Sequence, residues 1–363
     1  MFGLKSRALI GLVAMMGGAA PVAAQTVPRY AVDAAWPKPL PDNQILGQVS
    51  GIAMGELDTV WVIHRPGTLV DDEKGAQKTP PESRCCKPAA PVIQFGRMGR
   101  VLRAWGGPGP GYNWPKSEHG IHVDASGHVW IAGNAKEDSQ ILKFTPEGRF
   151  VMQIGAAGGA RGSNETGALG QPAHMVTDDE AGELYVADGY ANRRIIVFDM
   201  KTGAYIRHWG AYGEKPVDGP LPKYDPKAAV SRSFGNPVHC VRLANDGLAY
   251  VCDRINNRIQ VFKKDGSYVK EFRVSPETLA NGAVWDLVLS TDKRQKFIRM
   301  ADGANAEIVT LLRDTGEVVS RFGTPGRMAG QFKWVHNIAI DGRGTIYTAE
   351  VGTGRRAQRF VRQ

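Results

Sequence analysis

The stretch Ala173–Gly210 reads AHMVTDDEAGELYVADGYANRRIIVFDMKTGAYIRHWG, and His239–Phe272 reads HCVRLANDGLAYVCDRINNRIQVFKKDGSYVKEF. Each opens with an apolar strand, turns at Asp or Gly, and returns along a second strand that ends in Asp. A short loop then leads into a third strand at Arg194-Ile195 or Arg258-Ile259, and a Gly turn leads into a fourth. Runs of β-branched and aromatic residues between such turns are antiparallel strands. Four strands recurring every 40 to 50 residues or so are propeller blades.

Working outward, four further units follow the same plan. The first has VSGIAMG from Val49, TVWVIHRPG from Thr59 and PVIQFGRMGRVLRAWGG from Pro91. The second has HGIHVDASGHVWIAGN from His119 and QILKFTPEGRFVMQIG from Gln140. The fifth runs from Trp285 to Gly323, and the sixth from His336 to the end. The sixth unit stops after three strands, and Tyr30–Trp36 supplies the missing fourth. Closure removes the open sheet edges that a gapped ring would expose. The chain is thus expected to be an all-β, six-bladed β-propeller forming one domain over residues 25–363. The ADG-x-x-N-x-R-I pattern resembles the NHL-repeat propellers.

Residues 1–24 read as a secretory signal: Lys5 and Arg7, an apolar run from Ala8 to Ala20, then small residues before Gln25. A periplasmic or secreted protein is expected, with no membrane span. The formal charge is +9, or +7 once Lys5 and Arg7 are removed. The charges are scattered, which argues against nucleic acid as a partner and leaves a mild bias toward anionic ligands. Export permits disulfides between the four Cys residues. Cys240 and Cys252 flank the Asn245-Asp246-Gly247 turn symmetrically, so hairpin pairing sets them opposite each other and a disulfide is expected. Partners for the adjacent Cys85 and Cys86 stay open.

The start of each innermost strand carries the chemistry. His119, His239 and His336 each stand eight residues ahead of a turn glycine, Gly127, Gly247 and Gly344. The matching positions in the first, third and fifth units are Ser50, Ala173 and Trp285. His in alternate blades of a six-fold ring places three imidazoles about 120° apart at one depth. Three neutral imidazoles with an open fourth position make a zinc-type site, although imidazole also suits Cu, Ni and Fe. His64, His122, His128, His174 and His208 lack this equivalence and read as structural or surface residues. Loops between second and third strands open at one end of the ring and carry Arg65, Tyr190 and Arg254. An Arg near a metal can clamp a carboxylate, and a Tyr there can act as a base. Arg193, Arg194 and Arg258 read as loop-packing residues.

These residues carry a further resemblance. Gly47-Gln48-Val49-Ser50-Gly51-Ile52, Ile63-His64-Arg65, His119-Gly120, Asp188-Gly189-Tyr190, Pro237-Val238-His239, Asp253-Arg254 and Val335-His336 occur in the order seen in the peptidyl-α-hydroxyglycine α-amidating lyases. The resemblance implies zinc on His119, His239 and His336, a catalytic Tyr190, and active-site Arg65 and Arg254. It also implies a channel calcium held by the carbonyls of Ile52 and Ile121 and by an Asp at position 337. That position is Asn337 here, which weakens calcium, and a disulfide Cys of the family is replaced by Ala191. No monooxygenase domain accompanies the lyase-like part, so the substrate need not be an amidated peptide.

Three functions follow as expectations. The first is a metal-dependent, zinc-type lyase cleaving the C–N bond of an N-substituted α-hydroxyglycine or similar carbinolamide into amide and glyoxylate. The second is a lactonase-like metal-dependent hydrolase; the third is a non-catalytic NHL propeller that binds a partner or an anionic ligand. The expected partner is a small-molecule or peptide substrate with a carboxylate, bound by a monomer. Loops Gly158–Gly170 and Glu214–Ser231 are placed to meet the leaving group.

Overall fold

The turn glycines that served as rulers owe their place to backbone geometry. Gly127, Gly247 and Gly344 have φ of +82°, +81° and +83°, a region that costs glycine little and other residues more. Asp124 Oδ1 accepts the N–H groups of Ser126 and His128 at 3.0 and 2.9 Å, which fixes the first of these turns. Each turn therefore reverses the chain at a set point and puts the next strand in register.

The computed structural model describes residues 27–363 with Met1 and Gly3; otherwise the expected leader lies outside the described residues. Six four-stranded antiparallel sheets form the blades of a β-propeller. Their innermost strands are Gln48–Met54, Glu118–Val123, Pro172–Asp178, Val238–Leu243, Asp286–Leu289 and Val335–Ile340. Tyr30–Val32 pairs with Arg356–Arg362 in the register Tyr30↔Arg362 and Val32↔Phe360, so the sixth blade takes its outer strand from the start of the fold.

The core is six apolar layers, one between each pair of neighbouring blades. The run Val60-Trp61-Val62-Ile63 shows how sequence builds it. Side chains alternate along a strand, so Val60 and Val62 pack toward the sixth blade with Tyr347 and Ala349. Trp61 and Ile63 pack toward the second with Val129 and Ile131. A strand covered on both faces needs apolar residues at every position, hence the continuous runs. Cys240 and Cys252 stand opposite each other with Cα atoms 4.8 Å apart, and a disulfide joins them in the layer between blades four and five. Cys85 and Cys86 lie side by side, with Cα atoms 3.0 Å apart. Among the described residues no helix is long and apolar enough to cross a membrane.

Candidate active site

In five of the six innermost strands the pairing slips by one residue near the start, at Ser50, His119, Ala173, His239 and His336. A β-bulge leaves one residue unpaired and re-aims its side chain. The bulges turn His119, His239 and His336 onto the channel axis, with ring centroids 4.7 to 5.4 Å apart. One ligand atom from each lies within 4.8 Å of the others, and all three rings are buried.

The second nitrogen of each ring settles its tautomer. His119 Nδ1 is 2.8 Å from Ala173 O, His336 Nδ1 is 2.6 Å from Ser50 O, and His239 Nδ1 bonds Trp285 O. A carbonyl only accepts, so every Nδ1 carries a hydrogen and every Nε2 of a neutral ring offers a lone pair. The acceptors Ala173, Trp285 and Ser50 are the matching positions of the next blade, so one interaction repeats three times around the ring. Burial is the main force holding all three imidazoles neutral. It keeps His119 and His239 well below the usual histidine range and pushes His336 down to about 3, with help from the Arg65 and Arg254 charges. Three converging lone pairs repel one another unless a cation or a donor sits between them. A three-His group of this kind can hold a metal ion.

Tyr190 is the donor seated on the cluster. Its hydroxyl is 2.9 Å from His119 Nε2 and 3.1 Å from His239 Nε2, and one O–H can satisfy only one of them. The loop that carries it is tightly braced. Asp188 receives Arg194 Nε at 2.9 Å and the Asn192 amide at 2.8 Å, with Asp188 and Arg194 wholly buried. Gly189 backs onto the chain just ahead of His239: a Cβ there would lie 1.9 Å from Val238 O. The Arg254 loop is braced alike, by Asp253 with Arg258 Nε at 2.7 Å. Arg194 and Arg258 thus pack the loops, while Arg193 reaches Asn236 and Gly219.

The two candidate arginines differ. Arg65 is spoken for by neutral acceptors: Glu118 O at 2.7 Å, with Gln48 Oε1 and Asn134 Oδ1 both at 3.1 Å. Arg254 is 8% exposed, and no carboxylate lies within salt-bridge range of it among the described residues. Among the described residues its side chain makes one hydrogen bond, a long one of 3.5 Å from Nη1 to Tyr190 Oη, and its buried Nε has no partner there. The guanidinium lies over the Trp285 ring at 4.5 Å. An unpaired buried cation is costly.

The channel below the histidines departs from expectation. Asn337 Oδ1 accepts the Ile52 N–H at 2.7 Å, and its amide donates to Asp286. With that oxygen committed and no charge at position 337, the set Ile52, Ile121 and Asn337 does not fit calcium, a hard cation that favours carboxylates. His122 and His174 are also channel residues, since His122 bonds Thr177 at 2.8 Å and His174 is 3% exposed. His64 is buried, His128 and His208 partly so. Sequence reasoning gave no role to Trp285, Arg242 and Asp286; the one available signal was that Trp285 stands at the position matching the histidines, with Asp286 next to it.

Two cavities open on the face that carries these loops. One of about 510 Å³ is bordered by Arg65, Trp114 and Glu118, and one of about 280 Å³ by Leu221, Tyr224, Val230 and Ile255. The second is walled by the Glu214–Ser231 segment. A third, of about 540 Å³, lies at the turns of the opposite face, around Asp246, Lys293 and Arg313.

No protein-family model matches the chain. It is 26% identical to peptidyl-alpha-hydroxyglycine alpha-amidating lyase 1 of Drosophila melanogaster, over 92% of this chain and 60% of that protein. It is 25% identical to peptidyl-glycine alpha-amidating monooxygenase B of Xenopus laevis, over 85% of this chain. Human NHL repeat-containing protein 3 is 28% identical over 48% of the chain. The chain is similar to the α-amidating enzymes and, over about half its length, to NHL repeat-containing proteins. It spans 33% of the length of the Xenopus relative. Among solved structures, a streptogramin B lyase superposes with a TM-score of 0.53 at 14% identity, over 92% of this chain and 98% of that one. A Bacteroides thetaiotaomicron protein superposes with a TM-score of 0.56 at 16% identity, over 88% and 70%. Those two likenesses concern the propeller fold alone.

Proposed function

We propose that the protein is a metal-dependent lyase that cleaves the C–N bond of an N-substituted α-hydroxyglycine, or a similar carbinolamide, into an amide and glyoxylate. The observation that carries this is the unpaired Arg254 guanidinium beside Tyr190 Oη, which itself rests on His119 and His239. A cation for a carboxylate, a phenol for a proton and a three-His group for a hydroxyl are the three needs of an α-hydroxy acid. The similarity to amidating enzymes favours the same chemistry.

The residues divide the work. His119, His239 and His336 would hold a zinc ion, which would supply Lewis acidity to a substrate hydroxyl. With those Nε2 lone pairs taken up by such an ion, Tyr190 would have neither ring as a hydrogen-bond acceptor, leaving its oxygen to face substrate. Arg254 receives the carboxylate and so orients the carbinol carbon. Tyr190 Oη, acting as the phenolate, takes the hydroxyl proton; the O–H electrons form the C=O of glyoxylate, the C–N pair leaves with nitrogen, and Tyr190 returns the proton to that nitrogen to give the amide and regenerate the phenolate. Arg65, held by three acceptors, shapes the wall and contributes positive charge. The substrate is a carboxylate-bearing small molecule or peptide, its N-substituent lying toward the Glu214–Ser231 cavity. The enzyme acts as a monomer outside the cytoplasm, where a disulfide such as Cys240–Cys252 persists.

The test is glyoxylate release from an N-acyl-α-hydroxyglycine by metal-loaded protein. Tyr190→Phe should keep metal and fold and lose about 10²- to 10⁴-fold in kcat, the usual cost of a positioned base. No release by the loaded wild type across several N-acyl groups refutes the lyase. Release undiminished in Tyr190→Phe refutes the role given to Tyr190.

A further inference from the structure

A guanidinium crosses the channel beneath the three histidines. Arg242 sits three residues beyond His239 on the same strand. Its Nη2 lies 2.7 Å from Asp286 Oδ2 and 3.0 Å from Ile338 O, and its Nε 3.3 Å from Asp286 Oδ1. Asp286 is wholly buried. It also accepts the N–H groups of Ile338 at 3.0 Å and Leu287 at 2.8 Å, and the Asn337 amide. Asn337 in turn accepts from Ile52. One polar network therefore ties together the innermost strands of blades four, five, six and one.

Every member flanks the metal tier. Asp286 follows Trp285, whose carbonyl orients His239; Asn337 follows His336; Ile52 lies two residues beyond Ser50, whose carbonyl orients His336. Of the other titratable groups that face Arg242, His174 is buried and His122 half-buried, and both are kept below the usual histidine range, first by desolvation and then by the arginine charge. Asp286 is the acid that pairs with Arg242. One acid balances one guanidinium, and a buried pair is stable when its remaining hydrogen-bonding capacity is filled, as it is here.

We infer that Arg242 is the built-in cation of this channel. It takes from within the chain the place that the amidating-lyase resemblance gives to calcium, and it positions His239 and His336 through Asp286 and Asn337. An added dication would meet a guanidinium in a poorly screened interior, with Asn337 contributing no charge and its oxygen turned to a backbone N–H. The protein accordingly folds and holds its transition metal without calcium. This inference concerns the channel and stands whatever reaction the site performs.

The experiment uses full-length protein passed over chelating resin and reloaded with zinc. Elemental analysis should find no calcium in the wild type as purified, and millimolar calcium should leave its Tm unchanged. Arg242→Met should lower Tm and weaken zinc binding, and Arg242→Lys should restore most of both. Arg242→Met combined with Asn337→Asp should acquire a calcium-dependent rise in Tm of several degrees, since a ligand that binds only the folded state raises its stability. A purely structural Arg242 would not create that calcium response. Stoichiometric calcium in the wild type overturns the inference even if no variant folds. So does an Arg242→Met protein with unchanged zinc affinity, or a folded double variant indifferent to calcium.

Discussion

Replacing Arg254 by Met should make the protein more stable and a poorer catalyst, two effects of opposite sign from one cause. The side chain is 8% exposed, its Nε is buried without a partner, and its one hydrogen bond is 3.5 Å long. Burial accordingly pulls its pKa below the usual arginine value. Each unmet buried donor of a charged group costs about 1–3 kcal/mol. Stacking over Trp285 at 4.5 Å returns up to about 2 kcal/mol. Met retains much of the apolar stem, so the balance favours the variant by about 1–2 kcal/mol. Against that, a carboxylate deprived of its charge-assisted hydrogen bonds loses about 3 kcal/mol, or roughly 100-fold in kcat/KM, with KM rising. Urea unfolding of metal-free and zinc-loaded protein measures the first effect, and glyoxylate kinetics the second. A variant destabilised by more than about 1 kcal/mol would show that the guanidinium is a satisfied structural group. An unchanged KM would show that the carboxylate lies elsewhere.

Two further outcomes follow from the site and its surroundings. Purified protein should carry close to one transition metal per chain, and Ala at His119, His239 or His336 should remove it; failure of zinc to raise the Tm of stripped protein would contradict the metal centre. His64 is buried and locked as a neutral ring, Nδ1 accepting from Gly47 N at 3.1 Å and Nε2 donating to Ala90 O at 2.9 Å. Burial holds its pKa at about 4. Because the folded value lies below the unfolded one, the unfolded chain binds the proton first as pH falls. Stability is therefore kept above about pH 6.5 and lost by up to about 3 kcal/mol as pH drops toward 4. His64→Gln should cancel this slope; the same wild-type-to-variant difference at pH 7.5 and pH 5 would refute it.

Local rules were enough to read the blades. Strand period, Asp and Gly turns, and runs such as Val60-Trp61-Val62-Ile63 act over a few residues, and so does the symmetric placing of Cys240 and Cys252 about their turn. The three histidines were legible for a related reason: equal spacing from a turn glycine on repeated units means equal height in a ring. Their chemistry was not, because it depends on what the neighbouring blade presents. The carbonyl that fixes the tautomer of His336 belongs to Ser50, 286 residues away, and Asn337 is diverted from metal binding by Ile52, 285 residues away. Both contacts exist only once Tyr30–Val32 joins the last blade and the ring closes. The same closure separates two arginines that look alike in sequence. Arg65 falls among Glu118, Gln48 and Asn134, which satisfy it, whereas Arg254 falls beside Tyr190 and Trp285, which do not. Residue type and spacing determined which groups reach the axis; the packing of one blade against the next decided which of them stay unpaired and free to react.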